Sequence, residues 1–229
     1  MEAQFEMLSE MAKNGDKLNF GQDFFVKFYQ AFLYSDRWQQ YFKGVGTTLL
    51  VTAIALVLGV VLGAIVAMVR VGYAQQKPHH RNPILGVLNA VCQVYVTVIR
   101  GTPMMVQLLI MSMVIFANSR NFTMVGALAL GINSGAYVSE IIRGGLMAVD
   151  PGQMEAGRSL GLNYMTTMVV IIIPQAIRAV LPALGNEFIV LLKDTSLITV
   201  IGGKELLYAA QGIMNRTYEA MFPLLGVAL

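Results

Sequence analysis

The chain has 229 residues, of which 56% are hydrophobic and only 13% are charged. Soluble domains carry about 25% charged residues, so this composition excludes a soluble enzyme with one core and indicates an integral membrane protein. The apolar runs described below are predicted to be helices, so the expected fold class is all-α. The net charge of +3 does not indicate nucleic-acid binding, because the lysines and arginines stand singly between apolar runs rather than in one basic patch. The single cysteine, Cys92, excludes an internal disulfide.

Residues 1–45 are predicted to form an N-terminal arm, separate from a membrane domain at 46–229. Acidic residues stand in its first ten positions, where a signal peptide has basic ones, so we expect the arm to be retained. From Asp23 to Tyr34 the apolar residues recur near helical spacing and predict an amphipathic helix. This helix lies either on the membrane surface or against the rest of the protein.

Two apolar runs carry a stripe of small residues. The first, from Gly46 to Val69, has 24 residues without a charge and is long enough to cross a hydrocarbon core of roughly 30 Å. The other, from Phe122 to Ile142, is the third predicted span. Small side chains at every fourth position of a helix allow another helix to approach closely. The stripes consist of Ala55, Gly59, Gly63 and Ala67 in the first run, and of Ala127, Gly131, Gly135 and Ser139 in the third.

The remaining apolar runs are less regular. The run from Ile84 to Phe116 is too long for one upright helix, so we predict an interfacial start and a span from about Val96 to Ala117, with Arg100 snorkelling toward the headgroups. A short interfacial helix is predicted before the fourth span, which covers Ala183 to Ile201. The run from Tyr218 to Leu229 extends only about 18 Å as a helix and predicts a fifth span that is cut short.

A specific motif lies in the segment at about 150–174. From Glu155 the chain reads EAGRSLG, and nine residues later it reads IIIP, ending at Pro174. This pattern resembles the cytoplasmic EAA loop of ABC importer permeases, although Gly157 replaces the second alanine. A short helix that begins with an acid and ends at a glycine suits a cleft in a partner protein. The resemblance implies contact with an ATPase subunit through Glu155, Ala156, Gly157 and Gly161.

Three further segments extend the resemblance to the permeases that import polar amino acids such as histidine, glutamine, glutamate, arginine or opines. They read VIRGTP from Val98, GAYVSEIIRGG from Gly135 and LLKDTSL from Leu191. The resemblance implies a five-span type I importer fold in the cytoplasmic (inner) membrane, with the N-terminus outside. It also implies cytoplasmic loops at Arg70–Arg81 and Arg143–Thr167, which the even distribution of lysines and arginines does not decide. The implied partners are an ATPase subunit, an extracytoplasmic substrate-binding protein, a second permease copy or paralogue, membrane lipid and a polar amino acid.

Motifs for catalysis, cofactors or metals are not found in the sequence. The GGK at Gly202 lacks the spacing and the following serine or threonine of a phosphate loop. His79 and His80 are adjacent in a loop, so neither serves as a base for a serine within a span, and the pair lacks the further ligands of a zinc site. We therefore expect no enzyme activity and no cofactor in this chain.

Several polar residues within apolar runs are candidates for the solute path. Ionisable groups in hydrocarbon are costly and usually face a bundle interior or a wet cavity. Glu187 and Asp194 are seven residues apart and share nearly one helix face. Glu140 and Arg143 are three apart and predict an ion pair that holds a helix end. The pathway candidates are Arg100, Glu187, Lys193, Asp194, Thr195 and Ser196, for which a purely structural role stays an alternative.

Two other functional classes stay open from the sequence. An ATP-independent secondary carrier or channel would transport an amino acid without an ATPase partner. A membrane scaffold that binds an ATPase without moving solute would leave nucleotide turnover insensitive to amino acids.

Overall fold

A computed structural model describes residues 1–76 and 82–228. In these ranges the chain forms helices and no strands. Two segments are π-helical, Met111–Ile115 and Met168–Ile172, and Thr195–Ile201 is a 3-10 helix. The α-helices are α1 Glu2–Lys13, α2 Phe20–Phe32, α3 Trp38–Ala74, α4 Pro83–Gly101, α5 Met104–Ile110, α6 Phe122–Met147, α7 Gly152–Ser159, α8 Tyr164–Thr167, α9 Ile173–Asp194, α10 Leu206–Thr217 and α11 Met221–Ala228.

Four helical segments of the described chain are long and apolar enough to cross a membrane: Tyr34–Ala74, Pro83–Gly101, Phe122–Met147 and Tyr164–Ile201. This confirms an all-α membrane fold. Helix α11 has eight residues, fewer than a span needs, so the count of five spans stays a prediction. Lys77, His79, His80, Arg81 and Leu229 lie outside the described residues.

Helices α3 and α6 form the centre of the fold through their two stripes of small residues. A Cβ atom on Gly59 would lie 2.7 Å from Ser134 Oγ, and one on Gly63 would lie 2.7 Å from Val138 Cγ1. In the opposite direction, a Cβ atom on Gly131 would lie 2.6 Å from the side chain of Leu58. The predicted close approach of helices at both stripes is therefore confirmed.

The predicted second span, from about Val96 to Ala117, is wrong. Helix α4 begins at Pro83, where the side chain of Asn82 accepts a hydrogen bond from Ile84 N (2.9 Å), and it is the long helix of this region. It ends at Gly101 because Pro103 has no N–H and disfavours a helical residue before it. Helix α5 and its π turn, Met104–Ile115, form a shorter apolar segment after the break.

The predicted start of the fourth span at Ala183 is also wrong. The chain is helical from Tyr164 through the π turn and α9 to the 3-10 helix that ends at Ile201. Pro174 and Pro182 lie between the predicted interfacial helix and the predicted span, but they do not separate two helices. Instead, Pro174 lies in the first turn of α9, directly after the π turn, where a missing N–H is tolerated. Pro182 lies inside α9 without ending it.

The N-terminal arm packs on the rest of the protein. The ring of Phe5 in α1 stacks on Tyr29 of α2, with 4.8 Å between ring centroids. Helix α2 contacts α11 through Phe24 and Phe222, whose centroids are 5.0 Å apart. The structure thus contains packing of α2 within the chain, while Phe20, Phe24 and Phe28 are exposed. A position of α2 on the membrane surface stays a prediction. The division at 45/46 falls within α3 and stays a prediction.

Candidate functional site

Helix α7 carries the predicted coupling motif and has an exposed face. Glu155 lies in its first turn and is exposed, as are Ala156 and Arg158. Gly161 has φ +81°, a left-handed conformation that favours glycine. Gly161 N donates to Arg158 O (3.1 Å) and Leu162 N donates to Gly157 O (3.1 Å), the pattern of a Schellman cap. The glycine predicted to end this helix therefore does so.

Gly157 points the other way and is buried against α8. A Cβ atom there would lie 2.5 Å from Thr167 Cγ2 and 3.0 Å from Thr167 Oγ1. The departure from the EAA pattern thus has a physical reason, since alanine does not fit between α7 and the buried Thr167. The close contact fixes α7 on the helical segment that crosses the membrane as α8, π turn and α9.

Polar contacts tie the neighbouring helices together on the side where α7 lies. Gln175 Nε2 in α9 donates to Gln153 Oε1 in α7 (3.3 Å), and the Tyr164 hydroxyl donates to Gln75, just after α3. These contacts link α7 to α9, and α8 to the end of α3.

A charged cluster joins α3 to α6 near the same side. Glu140 accepts hydrogen bonds from Arg143 Nη2 (2.7 Å) and from Arg70, which lies on α3. The predicted pair of Glu140 and Arg143 is confirmed. Arg70 was not predicted as a partner of Glu140, because 70 residues separate the two in sequence. The available signal was an arginine near the end of one predicted span and an acid near the end of another.

Glu187 lies where α3, α6 and α9 meet. Its side chain is 8% exposed and accepts a hydrogen bond from Ser134 Oγ of α6 (2.7 Å). Ser134 also fills the space above Gly59 of α3. The structure thus places Glu187 in a helix contact near the middle of α6, with a hydroxyl group as its hydrogen-bond partner.

The other candidates from the LLKDTSL segment lie at the end of α9. Asp194 is its last residue, Lys193 is exposed, and in the described residues no ion pair joins the two. The hydroxyl of Thr195 donates to Leu192 O (2.7 Å) and that of Ser196 donates to Lys193 O (2.7 Å). Both hydroxyls are therefore bonded to their own helical segment.

Arg100 lies in the last turn of α4 and beside the middle of α6. Its guanidinium carbon is 5.1 Å from the ring centroid of Tyr137, the sixteenth residue of the 26-residue helix α6. The helix break follows directly after Arg100, and its snorkelling toward the headgroups stays a prediction. Sequence reasoning also missed Gln107 and Asn133, which lie beside this break and hydrogen-bond to each other (3.0 Å).

Comparison with known proteins relates the chain to one family. A family model described as binding-protein-dependent transport system inner membrane component matches residues 83–229. The putative glutamine transport system permease protein GlnP of Rickettsia bellii (strain RML369-C) is 36% identical over 192 residues, which cover 81% of this chain and 82% of that protein. The L-cystine transport system permease protein TcyB of Bacillus subtilis (strain 168) is 37% identical over 180 residues, which cover 77% and 71%.

A solved structure agrees with these relatives. A chain in the crystal structure of an amino acid ABC transporter with histidines is 40% identical to this one and superposes with a TM-score of 0.73. The match covers 83% of this chain and 85% of that chain.

Proposed function

Because the chain belongs to the family of binding-protein-dependent transport system inner membrane components, we propose that it is the permease subunit of an ATP-driven importer of polar amino acids. It is a multi-pass protein of the inner membrane, and the family implies an ATPase partner and a substrate-binding protein. The proposal for the solute is supported by the relatives, which are named for glutamine and cystine. ATP hydrolysis belongs to the separate ATPase subunit.

Helix α7 docks the ATPase. The observation that carries this proposal is the build of the helix: an exposed face that begins with Glu155, a glycine cap, and a buried Gly157 that holds the helix against α8. A helix exposed on one face and fixed on the other transfers a push from a partner to the membrane helices. Glu155, Ala156 and Gly161 lie toward the ATPase cleft, and Gly157 supports them from behind.

The chain forms half of a pore with a second copy or a similar permease. The N-terminus lies outside, and the loops at Arg70–Arg81 and Arg143–Thr167 lie in the cytoplasm, on the ATPase side. Solute reaches the pore from an extracytoplasmic binding protein. The residues proposed to border its path are Arg100, Glu187, Lys193, Asp194, Thr195 and Ser196.

Charge reversal in α7 tests the coupling role. The chain, its ATPase and its binding protein are reconstituted in liposomes, and ATP-dependent uptake of labelled glutamine, arginine, histidine and cystine is measured. We expect Glu155→Lys to abolish uptake while the protein still inserts, because the reversed charge lies at the ATPase contact. Glu10→Lys, an equally exposed reversal in α1, is the matched control and should transport normally. Normal uptake by Glu155→Lys would contradict the docking role.

The same liposomes separate the two other functional classes. Uptake on an ion gradient without the ATPase would favour a secondary carrier or channel. ATP turnover that no amino acid alters, together with no uptake, would favour a scaffold.

A further inference from the structure

We propose that Arg100 binds the carboxylate of the transported amino acid, at the break between α4 and α5 beside the middle of α6. This inference rests on the proposed function and specifies which part of the solute meets which side chain. Its starting point is an exposed arginine in the last turn of α4, beside the middle of α6. In the described residues its N–H groups have no protein acceptor, and its guanidinium carbon lies 5.1 Å from the ring centroid of Tyr137.

The position of Arg100 distinguishes it from the other arginines of the helical core. Arg70 and Arg143 share the carboxylate of Glu140. Arg178 is exposed in α9, but its neighbour Val180 packs on Gly145, close to the end of α6. Among the described arginines of the helical core, Arg100 is thus the one that lacks an acidic partner and lies beside the middle of α6.

The surroundings of Arg100 suit water and a polar solute rather than lipid. Gln93, Thr97 and Arg100 are exposed and lie on one face of α4, since they are four and three residues apart. On α6, Asn133 lies one turn from Tyr137 and faces the same region. Three polar residues in a row on an apolar helix indicate a face that borders an aqueous path.

The break itself is stabilised without using Arg100. Gln107 Nε2 donates to Ile99 O (2.7 Å) and Thr102 O (3.1 Å), carbonyls left free near the end of α4. Asn133 Nδ2 donates to Gln107 Oε1 (3.0 Å), which joins the break to α6. The guanidinium group is therefore not needed as a cap, and its N–H donors stay available.

The geometry favours a carboxylate as the ligand. The Tyr137 ring, 5.1 Å from the guanidinium carbon, attracts the positive charge without accepting a conventional hydrogen bond. The guanidinium group presents parallel N–H donors that match the two oxygens of a carboxylate. Every α-amino acid has this group whatever its side chain, so one arginine serves solutes as different as glutamine and cystine. The anchor thereby recognises the class of solute and leaves selection among amino acids to other residues.

Direct binding to the purified complex of the chain with its ATPase, without the binding protein, tests this assignment. The probes are L-arginine and L-histidine, each compared with its decarboxylated form, agmatine or histamine. We expect the wild type to bind the amino acids about 10- to 100-fold more tightly than the amines, the range for a charge-assisted hydrogen-bonded pair. Arg100→Gln should lose this preference, Arg100→Lys should retain part of it, and the matched control Arg178→Gln should keep all of it.

Several outcomes would overturn the assignment. Equal affinity of the wild type for arginine and agmatine would overturn it. This measurement needs no variant, so it remains decisive if Arg100→Gln does not fold. An unchanged preference in Arg100→Gln would also overturn the assignment. Separation of the two permease copies in Arg100→Gln, with the solute preference intact, would assign the arginine to a subunit contact instead. Absence of ATP-dependent uptake by the wild type would contradict the proposed function itself. That uptake is measured separately, in the liposomes described above.

Discussion

Replacing Gly157 with alanine adds one methyl group at the tightest contact of α7. The new Cβ atom would lie 2.5 Å from Thr167 Cγ2, whereas carbon atoms in contact are about 3.5–4.0 Å apart. Thr167 is fully buried and its branched side chain is stiff, so α7 and α8 must separate by about 1 Å. Overpacking of this kind costs about 1–3 kcal/mol, and alanine returns about 1 kcal/mol through helix propensity. The expected net loss is at most about 2 kcal/mol.

A double-mutant cycle isolates the clash from these opposing terms. Thr167→Ala removes the two nearest atoms that the new methyl group meets and leaves Ile171 Cδ1 at 3.3 Å. The double variant should therefore be more stable than the sum of the single effects by about 1–3 kcal/mol. The measurement is the free energy of unfolding in mixed micelles, titrated with SDS. Gly72→Ala is the matched control, because a Cβ atom at that helical position has no neighbour within 4 Å. It should be neutral or stabilising by up to about 1 kcal/mol.

The same double-mutant cycle can also contradict the proposed clash between Gly157→Ala and Thr167. Additivity of Gly157→Ala and Thr167→Ala within about 0.5 kcal/mol would mean that the two residues do not press on each other. The explanation of the glycine in place of the usual alanine would then be lost.

Three other changes test the remaining parts of the structure. Gly59→Leu places a large side chain against Ser134, so we expect loss of monodisperse protein in size-exclusion chromatography. The control Val57→Leu, at a site that is 65% exposed, should behave as wild type. Equal yields of the two variants would place the stripe against lipid. Gly161→Val forces a branched residue into the left-handed region at a cost of about 1–2 kcal/mol, and ATP-driven uptake at equal expression should fall. Glu187→Gln keeps a hydrogen-bond acceptor for Ser134 and removes only the charge. Uptake of arginine should therefore fall about 10-fold more than uptake of glutamine. Unchanged selectivity would show that Glu187 does not border the solute path.

Features with a short sequence period were predictable. The stripes of small residues on α3 and α6 lie at every fourth position, and they meet as expected at Gly59 and Gly131. The end of α7 at Gly161 was likewise predictable, because a glycine after a short helix is a strong local signal.

The effect of the prolines was not predictable from the sequence alone. Pro103 ends α4, whereas Pro182 lies within α9 and Pro174 follows a π turn that lets the helix continue. The same residue type gave three outcomes because neighbouring groups determine whether the lost hydrogen bond is replaced. At the first break the replacement comes from Gln107, which contacts Ile99 O across eight residues. Contacts between distant residues, such as Arg70 with Glu140, leave no periodic trace at all.

The reciprocal packing of α3 and α6 restricts how the protein changes shape. Ser134 and Val138 fill the gaps above Gly59 and Gly63, while Leu58 fills the gap above Gly131. If one helix slid along the other, each of these side chains would have to pass the next turn of the facing helix before it reached an equivalent gap. That distance is one helical turn, about 5.4 Å. Small axial shifts are thus blocked, and the two helices translate and tilt as a single strut. Any change of shape then arises by other segments moving against this strut, with the strut itself unchanged in length and register.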